Sequence, residues 1–77
     1  MIITRLVFYN PSSGSAWIGR RIAAAVQALI SVPGTEAVAT VPGAARHQVR
    51  TGLTRAITRV YAIGGDGTVG DVAGALA

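Results

Sequence analysis

The 77-residue sequence predicts an α/β fold, a three-layer α/β/α arrangement around an open parallel sheet. Three short runs of β-branched and aromatic residues alternate with three segments whose apolar residues recur at helical spacing. Turn-forming pairs such as Asn10-Pro11, Pro33-Gly34 and Pro42-Gly43 separate several of these segments. The order β-α-β-α-β-α implies parallel strands joined by right-handed helical crossovers.

The first strand and helix lie in the N-terminal third of the chain. Residues 2–9 are mostly apolar, as in a buried strand, and they stop at Asn10-Pro11. The turn through Ser15 supplies a serine cap for a helix over about 16–31. Its apolar face is marked by Ile18, Ile22, Ala25, Val26, Leu29 and Ile30, with Arg20, Arg21 and Gln27 on the other side. We expect Trp17 to pack over the preceding loop.

The second half of the chain repeats the pattern twice. The sequence predicts a short strand over residues 36–41 that ends at Pro42-Gly43, followed by a weaker helix over 44–56. Arg46, His47 and Arg50 are expected on its solvent side. Residues 59–63 predict the third strand. A third helix, beginning near residue 68, is marked by Val69, Val72, Ala73 and Leu76.

Composition excludes several classes of protein. A hydrophobic fraction of 51% with 13% charged residues excludes disorder, and the absence of cysteine with one histidine excludes a disulfide framework or a zinc site. The net charge of +4 comes from seven dispersed arginines, which predicts a solvated surface and no nucleic-acid binding. The longest apolar stretch, 22–30, is shorter than the ~20 residues that span a bilayer, and no leader pattern is visible, so we expect a cytoplasmic protein.

The stretch Gly64-Gly65-Asp66-Gly67-Thr68 lies between an apolar strand and a helix. Its glycines expose backbone N–H groups, and the helix that follows adds the positive end of its dipole, as in phosphate-binding turns. Asp66 would repel a phosphate unless a cation joined the two, which indicates Mg²⁺ bound to Asp66 directly or through water. The alternative is that Gly-Asp-Gly only forms a turn.

The predicted topology places all three β-to-α loops at one edge of the sheet. Ligands of open α/β sheets bind outside these carboxyl ends. We therefore expect the 10–14 loop, Thr40 and the 64–68 turn to converge on one site.

Two motifs together carry a family resemblance. The chain resembles the diacylglycerol kinase catalytic family, which includes bacterial diacylglycerol kinases, related lipid kinases and sphingosine kinases. The residues that carry the resemblance are Asn10-Pro11-Ser12-Ser13-Gly14 after the first strand, Thr40 after the second and Gly64-Gly65-Asp66-Gly67-Thr68 after the third. The resemblance covers the whole chain. NAD kinases and phosphofructokinases share the second motif alone. The resemblance implies the N-terminal part of a lipid-kinase or NAD-kinase-like nucleotide-binding domain.

The resemblance also implies which residues bind ATP with Mg²⁺. Asp66 would be the catalytic residue and the metal ligand. Gly70 and Asp71 depart from the family pattern, which has Asn and Glu there. The implied nucleotide-binding residues are Asn10, Pro11, Ser12, Ser13, Gly14, Thr40, Gly64, Gly65, Asp66, Gly67, Thr68, Val69, Gly70 and Asp71.

Family members continue with a further catalytic segment and a β-sandwich domain that carries the general base and the lipid-binding surface. We therefore expect residues 1–77 to be a partial catalytic domain that is inactive alone, with a lipid such as diacylglycerol as acceptor. Peripheral contact with the inner membrane face and homo-oligomers formed through the open sheet edge fit this interpretation. An NAD-kinase-like enzyme and a non-catalytic nucleotide-binding fragment are the alternatives.

Overall fold

The computed structural model describes residues 1–12 and 14–77. Strands and helices alternate along the chain, and the strands form one parallel sheet, which confirms the predicted α/β fold. None of the helices within these ranges is long and apolar enough to cross a membrane. The elements are β1 (Arg5–Tyr9), α1 (Ala16–Ile30), β2 (Thr35–Ala39), α2 (Ala45–Gly52), β3 (Arg59–Ile63) and α3 (Asp66–Leu76).

β1 is the central strand of the sheet, whose order is β2-β1-β3. Arg5 is in register with Thr35 and with Arg59, so the three strands begin together. At the other end, Tyr9 is in register with Ala39 and Ile63. The carboxyl ends of the three strands therefore meet at one edge.

Side chains of β1 alternate between two cores, one on each face of the sheet. Val7 packs with Ile22 and Val26 of α1 on one face. Leu6 and Phe8 pack on the other face with Val49 of α2 and Val72 of α3. Because α1 covers one face and α2 with α3 cover the other, the chain has three layers.

Several element boundaries differ from the sequence prediction. β1 begins at Arg5 rather than at residue 2, and Met1 is 94% exposed. α2 ends at Gly52 rather than at residue 56 because Leu53 is extended. Gly52 lies close to the core, where a Cβ would be 3.3 Å from Leu6 Cδ1. α3 begins at Asp66, two residues before the expected start.

The start of α1 agrees with the expected serine cap, but the position of Trp17 was predicted wrongly. The Ser15 hydroxyl accepts a hydrogen bond from the Ile18 N–H at 3.4 Å. Trp17 is 56% exposed instead of packed over the loop. Its ring lies beneath the Arg21 guanidinium, with Cζ 5.0 Å from the ring centroid, because residues four apart are neighbours on a helix surface.

Candidate functional site at the carboxyl edge of the sheet

A pocket of about 190 Å³ lies at the carboxyl edge of the sheet. It joins the end of β1, the segment after β2 and the first turns of α3. This volume is below the ~300–1,000 Å³ of typical small-molecule pockets, so the pocket has room for only a small chemical group or part of a larger ligand. The lining residues are Asn10, Thr40, Val41, Pro42, Gly43, Ala45, Gly67, Thr68 and Asp71.

Backbone hydrogen bonds at the end of β1 hold the loops of this edge together. The Thr40 N–H donates to the Tyr9 carbonyl at 2.8 Å, and the Thr40 hydroxyl donates to the same oxygen at 3.1 Å. The Asn10 N–H donates to the Ile63 carbonyl at 3.1 Å. Asn10 Oδ1 accepts from the Ser12 N–H at 2.9 Å, so its side chain shapes the loop after β1.

The glycine-rich turn places the N-terminus of α3 beside the pocket. Gly65 is the N-cap residue, with an extended backbone, and Asp66 is the first residue of the helix. The first N–H groups of a helix have no acceptor within the helix, and the helix dipole adds partial positive charge there. Gly67 and Thr68, which line the pocket, belong to this first turn. An anion in the pocket would therefore lie near donors of favourable polarity.

The glycines of this region differ in the space around them. Gly64 has φ +157°, and a Cβ there would lie 2.7 Å from Thr68 Oγ1, so glycine lets the buried Thr68 pack. A Cβ at Gly67 or at Gly70 would meet nothing within 4 Å. Because glycine destabilises a helix by about 1 kcal/mol relative to alanine, packing within the chain does not account for these two. Gly67 lines the pocket, so the open space beside it belongs to the pocket.

The two aspartates of α3 have different surroundings. Asp66 is exposed in the first turn, where its negative charge interacts favourably with the helix dipole. Asp71 lines the pocket and pairs with Arg46 of α2, with 3.4 Å between Asp71 Oδ1 and Arg46 Nε. Among residues 1–12 and 14–77, no three His, Asp or Glu side chains are close enough to hold a metal ion.

Five of the residues expected to bind nucleotide line the pocket: Asn10, Thr40, Gly67, Thr68 and Asp71. Ser13 lies outside the described residues. Pro11 lines a separate cavity of about 390 Å³ beside α1, on the opposite layer from α3. The remaining expected residues are near the pocket in sequence without lining it: Ser12, Gly14, Gly64, Gly65, Asp66, Val69 and Gly70.

In the segment after β2, sequence reasoning identified Thr40 as part of the site but not the three residues that follow it. Val41, Pro42 and Gly43 line it, although Pro42-Gly43 was interpreted only as a strand end. Their position directly after a strand was the available signal. Arg46 was placed on a solvent-exposed side, where it indeed lies, but its pairing with Asp71 joins residues far apart in sequence and had no local signal.

Comparison with known families identifies the family of the chain. The family model of the diacylglycerol kinase catalytic domain matches residues 4–77 of the sequence. Comparisons with curated proteins and with solved structures gave no significant match. Since the family match covers nearly the whole chain, this chain belongs to the diacylglycerol kinase catalytic domain family.

Proposed function

We propose that this chain binds Mg²⁺-ATP at the carboxyl-edge pocket, as the ATP-binding portion of a lipid kinase. The observation that carries the proposal is the convergence of the β1 end, the segment after β2 and the glycine-rich start of α3 on one pocket. Membership in a kinase catalytic domain family supports the same reaction class. The reaction would transfer the γ-phosphoryl group of ATP to a lipid hydroxyl, as in diacylglycerol phosphorylation.

The binding chemistry follows from the first turn of α3. Its N–H groups would donate to phosphate oxygens, and Gly67 would let those oxygens approach the backbone because no side chain intervenes. Asn10 and Thr40 would border the nucleotide from the two neighbouring strands. Bound Mg²⁺ supplies neutralisation of phosphate charge. Asp66 would hold that ion directly or through water.

The contribution of these residues to phosphoryl transfer is positioning and electrostatic stabilisation. The hydrogen bonds that Thr40 donates to the Tyr9 carbonyl and Asn10 donates to the Ile63 carbonyl hold the pocket walls in place. We assign residues 1–77 to the nucleotide half of the catalytic domain, and the general base and the lipid-binding surface to protein outside these residues. The proposed location is the cytoplasm, at the inner face of the membrane where the lipid acceptor lies.

Asp66→Asn tests the proposal because it keeps the turn geometry and removes the charge. We expect Mg²⁺-dependent ATP affinity to fall at least about tenfold, the effect of losing ~1.4 kcal/mol of interaction. Unfolding without ligand should change by less than about 1 kcal/mol, the size of a helix-dipole interaction at an exposed site. Isothermal titration of both forms with ATP, with and without Mg²⁺, measures the first quantity.

Glu36→Gln is the matched control, since Glu36 is an exposed carboxylate on β2. Its ATP affinity should equal that of the unmodified chain. Unchanged Mg²⁺-ATP affinity in Asp66→Asn would remove Asp66 from the site. Radiolabelled ATP with diacylglycerol or NAD as acceptor tests the reaction: we expect no transfer by residues 1–77 alone and transfer to the lipid by a longer form. Transfer to NAD would instead support an NAD-kinase-like enzyme.

A further inference from the structure

Gln48 of α2 makes two hydrogen bonds to the backbone at the end of β2. Its Oε1 accepts from the Val41 N–H at 2.8 Å, and its Nε2 donates to the Ala39 carbonyl at 2.9 Å. β2 is an outer strand of the sheet, so β1 pairs with it on one side only. Backbone groups on the other side of such a strand need other partners. The Gln48 side chain is half-buried, whereas most glutamines are exposed to solvent.

The Gln48 amide takes the place of a neighbouring strand beside Thr40. The Thr40 N–H points toward β1, where it donates to the Tyr9 carbonyl at 2.8 Å. Because successive residues of an extended segment point their backbone groups to opposite sides, the Ala39 carbonyl and the Val41 N–H point away from β1. A further parallel strand would bond this pair of groups, and Gln48 bonds both with one planar amide. Thr40 is therefore held from two sides.

The same side chain fixes one wall of the pocket. The segment 41–43 lines the pocket and is exposed, beyond the paired residues of β2. The Ala44 N–H donates to the Val41 carbonyl at 2.9 Å, so the segment forms a turn. Gln48 bonds the first residue of that turn and belongs to the helix that follows it. Its amide thus ties the turn to both of the elements that the turn joins.

We propose that Gln48 is a positioning residue for the ligand of the pocket, because it holds Thr40 and the 41–43 wall in the binding geometry. The inference rests on the proposed binding of Mg²⁺-ATP at that pocket. Without the two hydrogen bonds the turn would be free to move. Binding would then have to order the turn, which lowers affinity although the residues that contact the ligand are unchanged.

Gln48→Met removes both hydrogen bonds and keeps the length of the side chain. We expect Mg²⁺-ATP affinity, measured by titration calorimetry, to fall about tenfold, which corresponds to ~1.4 kcal/mol. Without nucleotide, the Val41 N–H should exchange with solvent about tenfold faster, as measured by NMR. Gln27→Met is the matched control, because Gln27 is exposed on α1, in the opposite layer from α2. Both quantities should stay within about twofold in the control.

Gln48→Glu separates positioning from general stability. At about pH 7.5 the introduced carboxylate accepts from the Val41 N–H but cannot donate to the Ala39 carbonyl, so ATP affinity should again fall about tenfold. A protonated carboxyl offers a donor and an acceptor, as the amide does, and the bond to the carbonyl favours this form. At about pH 5, affinity should return to within about threefold of the unmodified chain at the same pH. Native carboxyls such as Asp66 and Asp71 are common to both chains, so this ratio removes their effects.

Three results would contradict the proposal. Unchanged exchange of the Val41 N–H in Gln48→Met would show that the side chain does not hold the turn. Faster exchange with unchanged ATP affinity would show that the turn does not position the ligand, and so would the absence of any recovery by Gln48→Glu in acid. No ATP binding by the unmodified chain would overturn the proposed function itself, and exchange at Val41 would then still show whether Gln48 holds the turn.

Discussion

Gly67→Ala separates the requirements of folding from those of ligand binding. Gly67 is the second residue of α3, is exposed and lines the pocket. A Cβ there meets nothing within 4 Å. Alanine favours helix by about 1 kcal/mol over glycine in a helix interior, and less in the first turn, so we expect about 0.5 kcal/mol of added stability. For a domain of this size, that raises the melting temperature by roughly 2–4 °C.

The affinity of Gly67→Ala for ATP should fall, although its stability rises. If phosphate oxygens approach the first turn of α3, the new methyl group occupies part of their space. Loss of one hydrogen bond to a charged group costs about 1.5–3 kcal/mol, so ATP affinity should fall about 10- to 150-fold. Titration calorimetry with Mg²⁺-ATP measures the affinity, and thermal unfolding without nucleotide, at one protein concentration, measures stability.

Gly19→Ala is the matched control for Gly67→Ala. Gly19 lies within α1, and a Cβ there also meets nothing within 4 Å. This variant should gain up to about 1 kcal/mol of stability and leave ATP affinity unchanged. If Gly67→Ala binds ATP within twofold of the unmodified chain, phosphates do not approach this turn. A lowered melting temperature for Gly67→Ala would show that folding itself requires glycine there.

Two further substitutions test the packing around the pocket. Gly64→Ala should destabilise the fold by about 1–3 kcal/mol in urea unfolding, because the new Cβ would lie 2.7 Å from Thr68 Oγ1 and φ is +157°; an unchanged midpoint would contradict this steric argument. Arg46→Gln should cost less than about 0.5 kcal/mol in the same assay, because the Arg46 and Asp71 side chains are 57% and 46% exposed; a loss above 1 kcal/mol would show a stronger pair than the geometry indicates.

The layers of the fold could be predicted because local signals agree along the chain. Strand runs, helical spacing and Gly or Pro turns each indicate the same element order. The central position of β1 was not readable, because strand order depends on how α1 and α2 pack on opposite faces. The predicted positions of the helix ends were less accurate. α2 ends early at Gly52, which lies close to Leu6 and Phe8 of β1, and local sequence does not show such a tertiary contact.

The position of the candidate pocket could be predicted because topology decides it. Parallel strands bring loop residues such as Asn10, Thr40 and Thr68 to one edge, whatever the details of packing. The error at Trp17 has a physical reason: periodicity shows which side of a helix faces the sheet, but not what an apolar residue on the other side contacts.

We propose Asp66 rather than Asp71 as the magnesium ligand, although Asp71 lines the pocket and Asp66 does not. Positions 66 and 71 are about 140° apart around a helix with 3.6 residues per turn, so one bound ion would not readily contact both carboxylates. The charge of Asp71 is already partly matched by Arg46 at 3.4 Å. Asp66 lies in the first turn, where phosphates would meet the N–H groups of α3. If a cation binds at this helix end, Asp66 would be the side chain that holds it and the ion would offset phosphate charge, while Asp71 with Arg46 would border the pocket.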